Sequence, residues 1–333
     1  MSGVASASSP PSAGLSGATV RGLFRDRPIL PLLVLLGILV ALSELARPGI
    51  VTPEWIGVIL RASVPLAILA GCQTLTMLTG GIDLSVGAVA SMAGFLVATL
   101  VSGPGAPAGI VVALAAAALA GLVTGIGVGV FRVHPLIMTL GMSLVILGLA
   151  NVWQLQMVQT NSGVAPALRW LGSTVVLGIV PVSLLVFAPL AALILIGLRR
   201  TGYGRQLYAI GDNPIAARLS GTRAWQVLVV LYVISALMAA VAGFLISGLT
   251  NVASVSLVDS SVLPSVAAAV IGGTSILGGR GNYLGTVAGV ILITLLQSIL
   301  SVMQIEEFGR HVIFGVVIVA MLLIYGRGRR HTE

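Results

Sequence analysis

The sequence predicts an all-α, polytopic membrane protein with about 10 transmembrane helices, and three observations carry that prediction. Hydrophobic residues make up 57% of the chain and charged residues 8%, where a soluble domain carries about 25% charge. Mean hydropathy is +1.12. Apolar stretches of the roughly 20 residues needed to cross a bilayer recur along nearly the whole length.

Residues 1–20 are rich in Ser, Gly, Ala and Pro and lack the apolar run of a signal peptide, so residues 1–28 read as a disordered cytoplasmic tail. The first span, 29 to 46, then acts as an uncleaved anchor. Four further spans fall at 56 to 79, 84 to 102, 109 to 130 and 136 to 156 in the first half. The second half supplies 175 to 197, 225 to 249, 260 to 277, 284 to 303 and 311 to 326. Residues 29–326 thus form one transmembrane domain, and 327–333 a second cytoplasmic tail.

With the amino terminus inside, Arg21, Arg25, Arg27, Arg132, Arg280, Arg327, Arg329, Arg330 and five arginines of a polar island at 198–224 lie on the cytoplasmic side. Only Arg47, Arg169 and Arg310 lie outside, which predicts that both termini are cytoplasmic. Arg61 sits near the outer end of the second span, where a long side chain is expected to snorkel to the interface. All seventeen basic residues are arginine. Without lysine, a phosphate-binding loop of the GxxxxGK[ST] type and Schiff-base chemistry are both excluded. The single cysteine, Cys72, can form no intrachain disulfide and reads as a core residue.

Glycine is abundant, at 42 residues, and its main expected use is close helix packing, as in GLVTGIGVGV at 121–130. Two segments share a particular spacing. GGIDLSVG at 80–87 and GGRGNYLG at 278–285 both read GG, five residues, then G, at expected cytoplasmic turns. They fit tight turns that need positive φ, or matched breaks of discontinuous helices around a transport site.

The island from Leu198 to Ala224 holds Arg199, Arg200, Arg205, Arg218 and Arg223. Its middle predicts a short helix: Asn213 caps, Pro214 takes the first helical position, Ile215 to Ser220 continue, and Gly221 stops it. Two turns are too short to be stable alone, so packing must hold them.

Four segments together, LTGGIDLSVGAVASMAG at 78–94, HPLIMTLGMS at 134–143, GRQLYAIGDNPIAARLSG at 204–221 and AAAVIGGTSILGGRGNYLGTVAG at 267–289, resemble the permease subunits of ribose-type ABC importers. That branch of bacterial permeases also serves other monosaccharides and autoinducer-2, and the resemblance covers nearly the whole chain from about residue 29. It implies the translocation subunit of an ATP-driven importer, moving a monosaccharide or similar small polar solute across the inner membrane by alternating access. The implied partners are a second permease chain, identical or not, a cytoplasmic ABC ATPase, possibly with tandem domains, an extracytoplasmic sugar-binding protein and membrane lipid. The chain itself is then no enzyme, with no cofactor and no nucleic acid expected. The segment after GDNP resembles the family's coupling helix, which assigns ATPase contact to Gly211, Asp212, Asn213, Pro214, Ala216, Ala217, Arg218 and Gly221. Two positions depart from the family pattern. Val262, Leu263 and Pro264 stand where many members carry Glu-Leu-Asp, and His134, Pro135 and Leu136 replace the usual Pro-Phe.

Asp83, at the edge of the membrane core, has two readings. An intramembrane carboxylate invites a functional role, so Asp83, Ser85 and Asn151 are candidates for the translocation path. Equally, Asp83 and Ser85 fit a cap on the third span, where negative charge is favoured by roughly 0.3 to 1 kcal/mol. Thr139, Ser143, Gln154 and Gln156 fit a passage lining or cross-helix hydrogen bonds. Asp259, Glu306 and Glu307 are candidate contacts for the binding protein, unless they simply belong to solvated loops. His134, His311 and His331 make no spacing suited to a metal site. The competing reading is an ion-coupled secondary transporter, which would bury coupling carboxylates near the midplane. Only Asp83 approaches that, and no GxSxG, HExxH or carboxylate pair suggests a membrane enzyme.

Overall fold

The computed structural model describes residues 29–101, 103, 105–157, 163–306, 308–310 and 312–316. The two expected tails, most of the expected span at 311 to 326, and Glu307 lie outside the described residues. The chain is helical almost throughout: α1 (Ile29–Ala46), α2 (Pro53–Leu78), α3 (Val86–Leu100), α4 (Ala106–Gly129), α5 (Pro135–Met157) and α6 (Pro166–Ser173). A hairpin of β1 (Val175–Val176) and β2 (Val180–Pro181) precedes α7 (Leu184–Arg200), α8 (Gly202–Asp212), α9 (Pro214–Leu219), α10 (Ala224–Thr250), α11 (Asp259–Ile271) and α12 (Tyr283–Val302).

Every expected span from 29 to 303 contains a helix, but by length and apolarity five helices can cross a membrane, or six if α7 and α8 form one bent span. Helices α1, α3 and α11 are apolar but shorter. At 1.5 Å per residue, α3 and α11 reach only about 20 Å, against a hydrocarbon core of roughly 30 Å. The non-helical residues 81–85 of the first glycine segment lead into α3 and are buried or half-buried, as irregular backbone within a membrane must be.

The centre is built by α2, α3, α4 and α10, with α11, α12 and α1 on one side. The expected glycine packing is found where α4 crosses α10. A Cβ on Gly121, Gly125 or Gly129 would meet the α10 backbone at Tyr232 O (2.6 Å), Val229 Cα (2.7 Å) and Trp225 O (2.8 Å). Glycine at every fourth position therefore lets the two backbones touch along three turns.

Two expectations are corrected. The sixth span does not begin at 175, because Leu177 and Gly178 have positive φ and turn the chain into the hairpin before α7 starts at Leu184. The eighth does not run to 277, because Gly272 ends α11 and Gly273 turns at φ +90. The guanidinium of Arg61 donates to the Ser173 carbonyl at the end of α6, 2.7 Å away.

Candidate functional site

The polar island folds into two helices where the sequence suggested one. After Arg199 and Arg200 the chain bends by 69°, and the Thr201 hydroxyl accepts from the Gly204 amide at 3.2 Å to start α8. Gly204, Leu207 and Ile210 are buried at three-residue spacing along one face. The Tyr203 hydroxyl donates to the Val227 carbonyl of α10 at 3.1 Å, and that of Tyr208 donates to the Gly281 carbonyl at 2.9 Å. One surface helix is thereby tied to two separate parts of the membrane domain.

Its tip is tied more closely still. A Cβ on Gly211 would collide with the Leu78 carbonyl at the end of α2 and with the Gly279 amide. That amide itself donates to the Leu78 carbonyl at 3.0 Å. A Cβ on Gly278 would lie 2.8 Å from the Gly211 carbonyl and 3.1 Å from the Gly80 amide. The end of α2 with Gly80, and the 278–279 turn, therefore converge on Gly211 in a junction of three backbones that admits no side chain, while Gly81 packs against Pro135 and Tyr232.

Beyond the junction, Asn213 caps α9 as expected, accepting from the Ile215 and Ala216 amides at 3.0 Å each. Gly221 closes it at φ +85. Ala217 alone is buried. Ile215 and Leu219, one turn apart on one face, are 70% and 85% exposed, and Asp212, Pro214, Ala216 and Arg218 are exposed beside them. This six-residue helix thus presents its apolar face outward and is braced from behind by a packed junction.

The interior carboxylate is not at the membrane edge. The chain turns at Gly80, where φ is +80, and runs back beside α2. The Gln73 amide donates to the Asp83 carbonyl at 2.8 Å and accepts from the Asp83 amide at 3.3 Å. The carboxylate, 2% exposed, accepts from the Ser85 hydroxyl (2.6 Å) and amide (3.0 Å) through one oxygen, and from the Ser235 hydroxyl of α10 (3.0 Å) through the other. This arrangement holds the start of α3 against α10, although neither the Asp83 nor the Ser85 side chain caps α3 as the capping reading expected. Ser85 is buried with it, whereas Asn151 is exposed on α5 and bonds its own helix at Leu147. The three path candidates are therefore not one site. Thr139 makes the cross-segment bonds, to the Ile82 carbonyl (3.3 Å) and from the Leu84 amide (3.1 Å).

At the opposite ends of α2, α11 and α12 lies a polar cleft of about 550 Å³, lined by Ser260, Ser261, Thr294, Gln297, Ser298, Ser301 and Arg310 together with apolar residues of α2. Asp259 lines a separate cleft of about 180 Å³ with Leu84, Ser143 and Leu147. Glu306 is exposed near Arg310, which donates through Nε to the Ile305 carbonyl at 2.9 Å. Sequence reasoning missed the hydroxyl-rich cleft. Its signal was the alternation of Thr294, Gln297, Ser298 and Ser301 on one face of an otherwise apolar helix.

The family described as branched-chain amino acid transport system / permease component matches residues 56–324. The ribose import permease protein RbsC of Bacillus subtilis is 33% identical over 288 residues, 86% of this chain and 89% of that protein. The autoinducer 2 import system permease protein LsrC of an Enterobacter species is 31% identical, covering 93% and 90%. The fructose import permease protein FrcC of Rhizobium meliloti is 29% identical, covering 88% and 84%. No solved structure matches the chain. With the four sequence motifs, the helical membrane domain and a match over four-fifths of its length, this chain belongs to the branched-chain amino acid/ribose permease family, on its ribose-type ABC importer branch.

Proposed function

We propose that the chain is the translocation subunit of an ATP-driven importer for a monosaccharide or a similar small polar solute, with α9 as the lever on which a cytoplasmic ABC ATPase acts. The observation that carries the lever is the Gly211 junction, which joins the exposed helix to both glycine segments with no side chain between them. When the ATPase dimer closes, a displacement of α9 passes to the end of α2 and to the 278–279 turn, and so to the two short helices α3 and α11. Bistable packed elements of this kind convert small displacements into switching.

In this reading about ten spans cross the inner membrane of a bacterium with both termini inside, and a second permease chain completes the pathway. An extracytoplasmic binding protein delivers the solute near Asp259 and Glu306, and the hydroxyl-rich cleft supports a hydroxylated solute at that mouth. The bonding of Asp83 favours the importer over an ion-coupled carrier, because its oxygens are committed to positioning α3.

The test is Ile215→Asp with Leu219→Asp, made together. The chain should insert and melt as before, while recovery of the ATPase with it falls at least tenfold and uptake is lost. Undiminished recovery of the ATPase would refute the lever.

A further inference from the structure

Beside the lever, on the side of the membrane that carries the loop 198–224, a second cleft of about 480 Å³ opens between the end of α4, the start of α5 and the start of α10. Arg132, Arg218 and Arg223 line it, with His134, Thr222 and Trp225, and its lining contains no acidic residue. Three guanidiniums around one hollow concentrate a positive potential that favours an anion there.

Two further observations point to an anion. The starts of α5, at Pro135, and of the 27-residue α10, at Ala224, both lie in the lining, and no side chain caps α10. Helix amino ends carry a partial positive charge that favours phosphate. Arg132 itself is held at φ 55, left-handed backbone that glycine would adopt with less strain. An arginine kept in that conformation holds its charge at the cleft against backbone strain.

The surroundings identify the source of the anion. Phe131 (74% exposed) and Ile137 (65% exposed) flank the cleft with bare apolar surface, and Trp225 is 49% exposed at its wall. A cationic hollow edged by apolar residues, with a tryptophan at the level where spans end, matches a phosphate that carries acyl chains. We infer that this cleft binds the headgroup phosphate of an anionic phospholipid, with Arg132 and Arg223 as its principal ligands and Arg218 as the link to α9. Lipid occupancy would steady the far end of the lever, since α9 and the start of α10 are separated by only a short turn.

Trp225 supplies the probe. The purified full-length chain is placed in phosphatidylcholine nanodiscs containing one-tenth brominated phosphatidylglycerol or, separately, one-tenth brominated phosphatidylcholine. The fluorescence owed to Trp225 is taken as the difference from Trp225→Phe. Quenching should be at least threefold stronger with the anionic lipid. It should fall to the phosphatidylcholine level in Arg132→Gln with Arg223→Gln, and stay high in the paired lysine variants. On the unmodified chain, 0.5 M salt should weaken the preference, which keeps the test decisive if the glutamine pair does not fold. Equal quenching by the two lipids would overturn the inference. So would abolition of the preference by 5 mM inorganic phosphate, which would assign the cleft to a free anion.

Discussion

The segments 80–87 and 278–285 share one spacing and have different fates. In the first, Gly80 turns the chain once and residues 81–85 run back into the protein, fixed by Gln73 and by the bonds of Asp83. In the second, Gly278 and Gly279 both have positive φ, at +88 and +73, and the chain stays near the surface, with Leu277 59% exposed and Arg280 exposed. The third glycine is a close-packing residue in both: Gly87 against Val262 of α11, and Gly285 against Gly272. The glycines thus set where the backbone turns and where helices touch, while the five residues between them decide whether the segment is buried. Ile-Asp-Leu-Ser-Val can satisfy its polar groups inside the protein, and Arg-Gly-Asn-Tyr-Leu keeps its charge outside.

The point where the two segments meet is the place to break the comparison. Gly211→Val should have the largest effect, since the added carbons would separate the end of α2 from the 278–279 turn. Overpacking of this kind costs about 1–3 kcal/mol in a side-chain core, and more is expected where both neighbours are backbone. The measurements are detergent melting and uptake, and both should collapse. A normal melt with normal uptake would mean that the three backbones need not touch.

Asp83 separates the first segment from the second. Asp83→Leu leaves the Ser85 amide and two hydroxyls without an acceptor in a buried site, a loss of about 2–5 kcal/mol. Asp83→Asn keeps an acceptor oxygen and should lose about 1 kcal/mol. If the Asn variant folds well yet abolishes uptake, the carboxylate carries a transport role beyond holding α3.

Much of this was legible in the sequence, and the rest failed for definite reasons. Caps and stops are local, so Asn213, Pro214 and Gly221 could be read in full. The span at 175–197 misled because Val175 to Pro181 is as apolar as a helix, while its hairpin depends on two positive φ values and on packing against Gly57 of α2. Helix α8 was missed because its stability comes from Leu207 and Ile210 lying against the membrane domain. The convergence of Gly80 and the 278–279 turn on Gly211 joins residues up to 199 positions apart, which no local pattern encodes. The hydroxyls lining the outer cleft come from two helices, α11 and α12, in the same way.

The two turns can be compared directly with alanine. Gly80→Ala meets nothing nearer than the Leu277 carbonyl, 3.6 Å away, so it should lose only the roughly 1–2 kcal/mol of left-handed backbone. Gly278→Ala has the same backbone penalty plus a contact of 2.8 Å with the Gly211 carbonyl, and should lower the melting temperature further. Equal shifts would show that the junction relaxes freely.

The smallest effect is expected from Tyr208→Phe, which removes one hydrogen bond from the second segment to α8 and leaves the ring in place. A net hydrogen bond is worth about 0.5–1.5 kcal/mol, and Tyr208 is half-buried, so water can replace the phenol at the Gly281 carbonyl. Stability should therefore change by the lower end of that range. Coupling is a different quantity: if α8 transmits force to the 278–281 turn through this bond, ATP turnover per solute moved should rise while melting is unchanged. Gln73→Leu makes the matching change in the first segment, where Gln73 is fully buried and no water can replace it, so there stability itself should fall. A melting loss in Gln73→Leu alongside a coupling loss in Tyr208→Phe would separate the anchored turn from the driven one.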